Sequence, residues 1–357
     1  MVVSGMGLCC PIGMTAAQAC ASIRAGITRI SLHAAYRCLP PPEDMEVEED
    51  ANILRAGVVP GLEDDLEGSQ RLLRLALPAL QGLFSDSKLS RRDVSEGALL
   101  LALPLPDPAV SGWALSQRFA RELFRCSGVG DWGKVVTLEA GAAGVMMLVE
   151  QARMLLANRS IRFCILLALD SYLSVDRLTW LDKARRLHSP RNVDGFIPGE
   201  AACALLLEHR RTAEARGVPL RGVVGPMAAG TEPVAVDSGR WSTGAGLCQA
   251  LHPLLRAGWG EAIGEWTLCN LNGESYRARE WGLVQARLAK SLKATRKLQH
   301  PADRMGDAGT AMTAILMASA CHAFSRRHAP APVALVWVAS DDDSRTALLL
   351  RAAHAVP

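Results

Sequence analysis

Aromatic side chains are scarce in this chain, at 5% of residues, so its core has to be filled mainly by Ala, Leu, Val and Met. Charge of one sign is scarce as well: 39 basic residues stand against 36 acidic ones, for a formal net charge of +3. With the two signs spread along the whole length, no strong field gathers nucleic acid or anionic lipid, and neither is expected as a partner. The ten cysteines include no Cys-x-x-Cys pair and no His partner at zinc spacing. Reduced, mostly buried thiols are therefore expected, with no disulfide, no metal and no other cofactor. The opening Met1-Val2-Val3-Ser4-Gly5-Met6-Gly7 has no basic leader ahead of its apolar residues, and the expected location is cytoplasmic.

Charged residues are absent from Ala308 to Ser325, which is long enough to raise the question of a membrane span. The stretch is rich in Ala, Thr and Ser, whereas a lipid-facing helix carries more Leu, Ile and Phe. A helix buried within a protein explains it better. The hydrophobic share of 49% and the charged share of 21% are those of a folded globule. At 357 residues, length alone allows two or three domains or one large layered domain.

Strand and helix patterns alternate along the chain. A short strand through Val2 and Val3 leads into a Gly-rich turn, then a helix with a capping pair at Thr15 and Gln18 and Gly26 at its end. Residues 39–68, with Pro40-Pro41-Pro42 and the acidic run Glu46 to Asp50, read as a surface excursion. Strands are then expected at Ala98–Leu103, Lys134–Leu138, Phe163–Leu169, Ala201–Leu207, Leu220–Val224, Trp266–Leu271 and Val333–Val338. Helices are expected over Trp113–Phe124, Ala142–Ala157, Gly244–Arg256, Arg277–Leu292 and Ala308–Phe324. The alternation implies an α/β architecture. Glu139-Ala140-Gly141 and Asp307-Ala308-Gly309 both lead into small-residue helices, an echo that suggests a duplicated unit or simply close backbone approach.

Four segments, in order, resemble β-ketoacyl-acyl-carrier-protein synthases of the thiolase-like superfamily. They are Val2–Gly7 with Pro11-Ile12-Gly13, the helix carrying Glu150-Gln151-Ala152-Arg153, the stretch Asp194–Glu208 with its Gly199-Glu200-Ala201 turn, and Gly306-Asp307-Ala308-Gly309. The resemblance implies a five-layered αβαβα sandwich of two similar halves, residues 1–208 and 209–357, and a dimer, most simply a homodimer. It also implies a site built from a cysteine and two histidines.

Those positions are altered. The family's nucleophile is a thiolate at a helix N-terminus, which lowers its pKa; counted back from Glu150, its place falls on Gly141. The first histidine's place, in Asn270-Leu271-Asn272-Gly273-Glu274, is held by Asn272, and the second's by Asp307. Ala302 stands where the family has a lysine. The family's glycine-rich gating loop is replaced by Asp341-Asp342-Asp343-Ser344, whose acids are expected to repel an oxyanion or a phosphate. Cys126, Cys164 and Cys269 are expected to be packing residues rather than a relocated nucleophile, and His188 and His252 surface or structural. Some of Trp180, Trp241, Trp259, Trp266 and Trp281 are expected at an interface, with core packing the equal alternative.

The resemblance with these losses implies a non-catalytic binding or adaptor protein. Its partner would be a secreted effector or its chaperone, as in type VI secretion. A second implied reading is an inactive chain-length-factor-like partner of a catalytic synthase subunit, and a third is an acyltransferase using other groups.

Overall fold

Continuous apolar runs form strands here because both of their faces are covered. The computed structural model describes residues 1–39, 52–62, 66–90, 93–106, 115–130, 132–158 and 161–353. Its first half runs β1 (Val2–Cys9), α1 (Ala16–Ala25), β2 (Ser31–Arg37), β3 (Ile53–Ala56), α2 (Gly68–Ser87), β4 (Gly97–Leu103) and α3 (Leu115–Ser127). It continues through β5 (Lys134–Glu139), α4 (Gly141–Ala157), β6 (Phe163–Ser171), α5 (Val175–Lys183) and β7 (Glu200–Glu208). The second half holds α6 (Arg210–Ala215), β8 (Gly222–Thr231), α7 (Ala245–Leu255), β9 (Trp266–Cys269), α8 (Ser275–Arg287) and β10 (Lys297–Gln299). It ends with α9 (Ala302–Met305), α10 (Ala311–Ser325), β11 (Val333–Ala339) and β12 (Ser344–Arg351).

Ten strands hydrogen-bond in the order β10-β9-β11-β12-β8-β1-β7-β6-β4-β5. The order is a mirror image about the β8–β1 junction. On each side the innermost strand (β1 or β8) pairs antiparallel with β7 or β12, which pairs antiparallel with β6 or β11. Two parallel strands follow, β4 and β5 or β9 and β10. Among the described residues the only strand pairing between the two sides is Val2↔Val223 and Val3↔Gly222. The helices sort in the same way: α2 covers the outer face of β1, β6 and β7, α7 covers β8 and β12, and α4 and α10 lie between the two five-stranded units, touching strands of both. This is the five-layered αβαβα sandwich of two similar halves.

Strand alternation records the layers. Ala98, Leu100 and Ala102 of β4 join the central core around α4 and α10, while Leu99, Leu101 and Leu103 join the outer core under α2. The charge-free stretch is the innermost helix, with every residue from Ala311 to Phe324 buried. Among the described residues no helix is long and apolar enough to cross a membrane.

Several expectations change. The first strand runs on through Gly5 and Gly7 rather than turning after Val3, because α2 lies directly on it. A Cβ on Gly7 would fall 1.8 Å from the Ala79 carbonyl oxygen. Thr15 does cap α1, accepting from the Gln18 amide at 3.2 Å, and Gly26 ends it at φ 73°. Of the supposed surface excursion, Pro40–Pro42, Glu46–Asp50 and 63–65 lie outside the described residues. Its described part contains β3, whose Leu54 and Ala56 are fully buried against β2 and a small core around Leu178 and Phe196. Trp113 also lies outside the described residues. The strand expected at Lys134–Leu138 and the helices expected near 142, 244, 277 and 308 are β5, α4, α7, α8 and α10 with shifted ends.

Candidate functional site

The echoed tripeptides open the two central helices onto one cavity of ≈ 250 Å³. Gly141, at φ 58°, begins α4, and Gly309, at φ 50°, stands two residues before α10. Both adopt the left-handed backbone that glycine takes without cost. A Cβ on Gly141 would meet Leu105 Cγ at 3.0 Å; one on Gly309 would meet Asp170 Oδ2 at 2.1 Å. Each entrance is closed from the opposite half. The Ala143 amide of α4 donates to Ser340 Oγ at 2.8 Å, just past the end of β11. The Thr310 amide before α10 donates to Asp170 Oδ2 at 2.9 Å, near the end of β6, the strand that mirrors β11. The amides that would otherwise meet a developing negative charge are engaged by side-chain oxygens.

Around the cavity runs a lattice of ion pairs. Arg177 of α5 donates to Asp170 Oδ1 at 2.7 Å and lies over the Tyr172 ring. Arg186 grips Glu274 through two parallel hydrogen bonds of 2.8 and 2.9 Å and reaches Asp341 at 3.0 Å. Arg277 of α8 donates to Asp341 Oδ1 at 2.8 Å and lies 3.6 Å from Asp307 Oδ2. Planar guanidinium forks suit such shared carboxylates. Burial works against an ionised Asp341, but Arg186 and Arg277 outweigh it and hold its carboxyl well below the usual range. For Asp307 the balance goes the other way. Burial raises its pKa above 3.8, although Arg277, the Gly309 amide and Asn272 pull it back.

The structure places the sequence-predicted positions unevenly. Gly141, Asp307, Asp341 and Asp342 border the cavity. Asn272 stands behind Asp307, donating through Nδ2 to Asp307 Oδ2 at 2.8 Å and to Glu274 Oε2 at 3.0 Å. Ala302 is not at the cavity: it is 4% exposed, within the core between the sheets. The acidic run is not a free repelling loop. Asp341 is neutralised by two arginines, Asp342 accepts from the Ser344 amide at 2.8 Å, and Asp343 is exposed with its carbonyl on the Glu232 amide at 2.8 Å. Ser344 already begins β12, and buried Arg345 clasps the turn through the Ser340 and Asp342 carbonyls while pairing with Glu280 at 2.8 Å.

Sequence reading did not find Asp170, Arg177, Arg186, Arg277 or Ser340. Acids placed at buried positions call for cations, and Arg277, one helical turn after Glu274, was a readable partner. The strongest resembling segment does reach the site: the Gly199 amide donates to the Asp307 carbonyl, and the Asp307 amide to Ile197, each at 2.8 Å.

Among the described residues no Cys, His or Lys lines the cavity. Cys164 and Cys269 are buried, with thiols pushed up to about 12 by desolvation, and Cys126 is exposed on α3. His188 Nδ1 lies 3.2 Å from the Val193 carbonyl, away from the site. Trp266 and Trp281 are core residues, the latter stacked on Trp337, whereas Trp180 and Trp241 are exposed beside the cavity mouth. Among the described residues no group of His, Cys, Asp and Glu is arranged to hold a metal ion.

No family model matches the sequence, and no curated protein aligns with it. Solved structures do match. The complex of a type II polyketide synthase acyl-carrier protein with its ketosynthase bound to the hexaketide superposes at TM-score 0.76 and 14% identity, covering 98% of each chain. The protein has the ketosynthase fold. The ishigamide ketosynthase/chain length factor matches at TM-score 0.71 and 17% identity, again over 98% of each chain. An oxazolomycin ketosynthase domain from Streptomyces albus matches at TM-score 0.74 and 15% identity, over all of this chain and 76% of its own. At these identities the shared property is the ketosynthase fold itself, two pseudo-repeated halves around two buried helices.

Proposed function

We propose that this chain is a non-condensing subunit of ketosynthase fold that pairs with a catalytic ketosynthase, as a chain-length factor does. One observation carries the reading. Where the fold would present a thiolate and its imidazoles, Gly141 offers no side chain, and among the described residues the cavity is lined by amide, carboxylate, guanidinium and hydroxyl groups with no thiol, imidazole or amine. Ser340 and Thr310 carry hydroxyls there, yet among the described residues no imidazole or amine lines the cavity to take their protons. On this reading Gly141, Asn272, Asp307 and Ala302 are the altered catalytic positions, and 1–208 and 209–357 are the two units of the duplication.

A pairing surface supports it. Among the described residues strand β5 ends the sheet with one edge unpaired, Val135 on it is 37% exposed, and Met147 and Met154 on adjoining α4 are 59% and 49% exposed. An apolar edge strand of this kind invites another chain. The nearly complete mutual coverage with the ishigamide ketosynthase/chain length factor adds support for a chain-length-factor-like subunit. Nothing among the described residues favours a secreted effector over a synthase as the partner.

Two measurements test the proposal. Incubation with acyl-thioesters and intact-mass spectrometry is expected to show no acyl-enzyme; a stoichiometric adduct overturns it. Purification from the native host is expected to recover a cysteine-bearing ketosynthase in equal amount, and recovery of this chain only as a homodimer counts against the pairing.

A further inference from the structure

A second cavity, of ≈ 260 Å³, lies at the other end of α10 from the candidate site. Its polar wall is all basic or neutral: Arg24 from α1, Lys297 from β10, His322 in the last turn of α10 and His328 just beyond it. No carboxylate lines it, and among the described residues none lies within ion-pair distance of Arg24 or Lys297. The two imidazoles meet edge to face at 5.7 Å. Beside them Ser319, 7% exposed, turns an Oγ to the Cys20 thiol but makes no hydrogen bond of normal geometry among the described residues. The carbonyls that end α10 do not compete for the space: those of His322, Ala323 and Phe324 are taken by the Arg326, His328 and Arg327 amides. The rest of the wall is apolar, with Ile23, Trp266 and Pro330.

We propose that this cavity binds a small organic anion, its charged group among Arg24, Lys297 and the two imidazoles, its apolar body against Ile23 and Trp266. Concentrated positive charge with no internal counterion, next to an unsatisfied buried hydroxyl, is a site missing its partner. The histidines report the same imbalance. Desolvation, then His328, Arg326, Arg221 and Arg24, push His322 down to about 4, and desolvation with Arg24 lowers His328. An anion would remove that repulsion and raise both. Cys20 stays neutral throughout, its thiol held at about 12 by burial.

Phenyl phosphate and inorganic phosphate serve as probes, followed by imidazole NMR and calorimetry on the full chain. Phenyl phosphate is expected to raise the His322 pKa from about 4 by at least one unit and to bind at least tenfold tighter than inorganic phosphate. Arg24 and Lys297 are both exposed, so R24Q/K297Q should leave the fold intact and weaken binding at least tenfold. Absence of a His322 shift at millimolar phenyl phosphate overturns the proposal, as does binding that R24Q/K297Q leaves unchanged. Equal affinity for the two probes overturns the apolar half of the site.

Discussion

Asp341 and Asp307 share one arginine, Arg277, yet their carboxyl pKa values are displaced in opposite directions. Asp341 faces Arg186 and Arg277 together, so its stabilisation is present above pH 4 and is lost as pH falls below the ordinary aspartate range. Replacing it takes a shared carboxylate from two buried cations, leaving Arg186 with Glu274 alone and Arg277 with its longer contacts: Asp341→Asn is expected to cost about 3 kcal/mol in denaturant unfolding at pH 7. Asp307 behaves as a buried acid. Its folded pKa is raised, so the wild-type protein loses stability as pH climbs through that value, and Asp307→Asn is expected to escape the loss. The variant should unfold at the same denaturant concentration as wild type near pH 3 and at a higher one at pH 7. A variant less stable than wild type at pH 7 would mean that Arg277 outweighs burial.

At the level of elements, the helix entrances distinguish two kinds of glycine constraint. Gly141→Ala meets a movable Leu105 and is expected to cost about 1–2 kcal/mol for the left-handed backbone. Gly309→Ala carries the same backbone strain and also drives a methyl group into Asp170, whose carboxylate is already fixed by Arg177 and the Thr310 amide. It is expected to cost about 2 kcal/mol more, measured by paired unfolding curves. The echo of Glu139-Ala140-Gly141 in Asp307-Ala308-Gly309 was legible because close approach at a buried helix start admits few residue types. So were β4, β6, β7 and β11, whose unbroken apolar runs have no other explanation. Helix α2 escaped notice, with Gly68 at its start and Pro78 inside it blunting the pattern. Strand β12 was hidden by its buried Arg345 and Thr346, which look like surface residues until Glu280 is known to lie opposite the arginine. The ionic lattice was unreadable for a related reason: Asp170, Arg186, Glu274 and Asp341 are far apart in sequence, and only the fold brings them to one wall.

Across the whole molecule, the unpaired edge of β5 is where a second chain is expected to dock. In the complex with its co-purified synthase, Val135→Lys with Met147→Glu should leave the core untouched and shift the light-scattering mass toward the separate chains; an unchanged complex would place the interface elsewhere. The reciprocal sealing of the helix entrances bears on how the molecule comes apart. Ser340 belongs to one repeat and serves the other's helix, and Asp170 returns the arrangement. Calorimetry is therefore expected to record a single melting event, and two resolved endotherms would contradict this. Neither repeat expressed alone should reach a native hydrogen-exchange pattern at its central helix. Each repeat thus carries the stopper for the other's central helix, so separating them would leave each with an open helix end it lacks the residues to close.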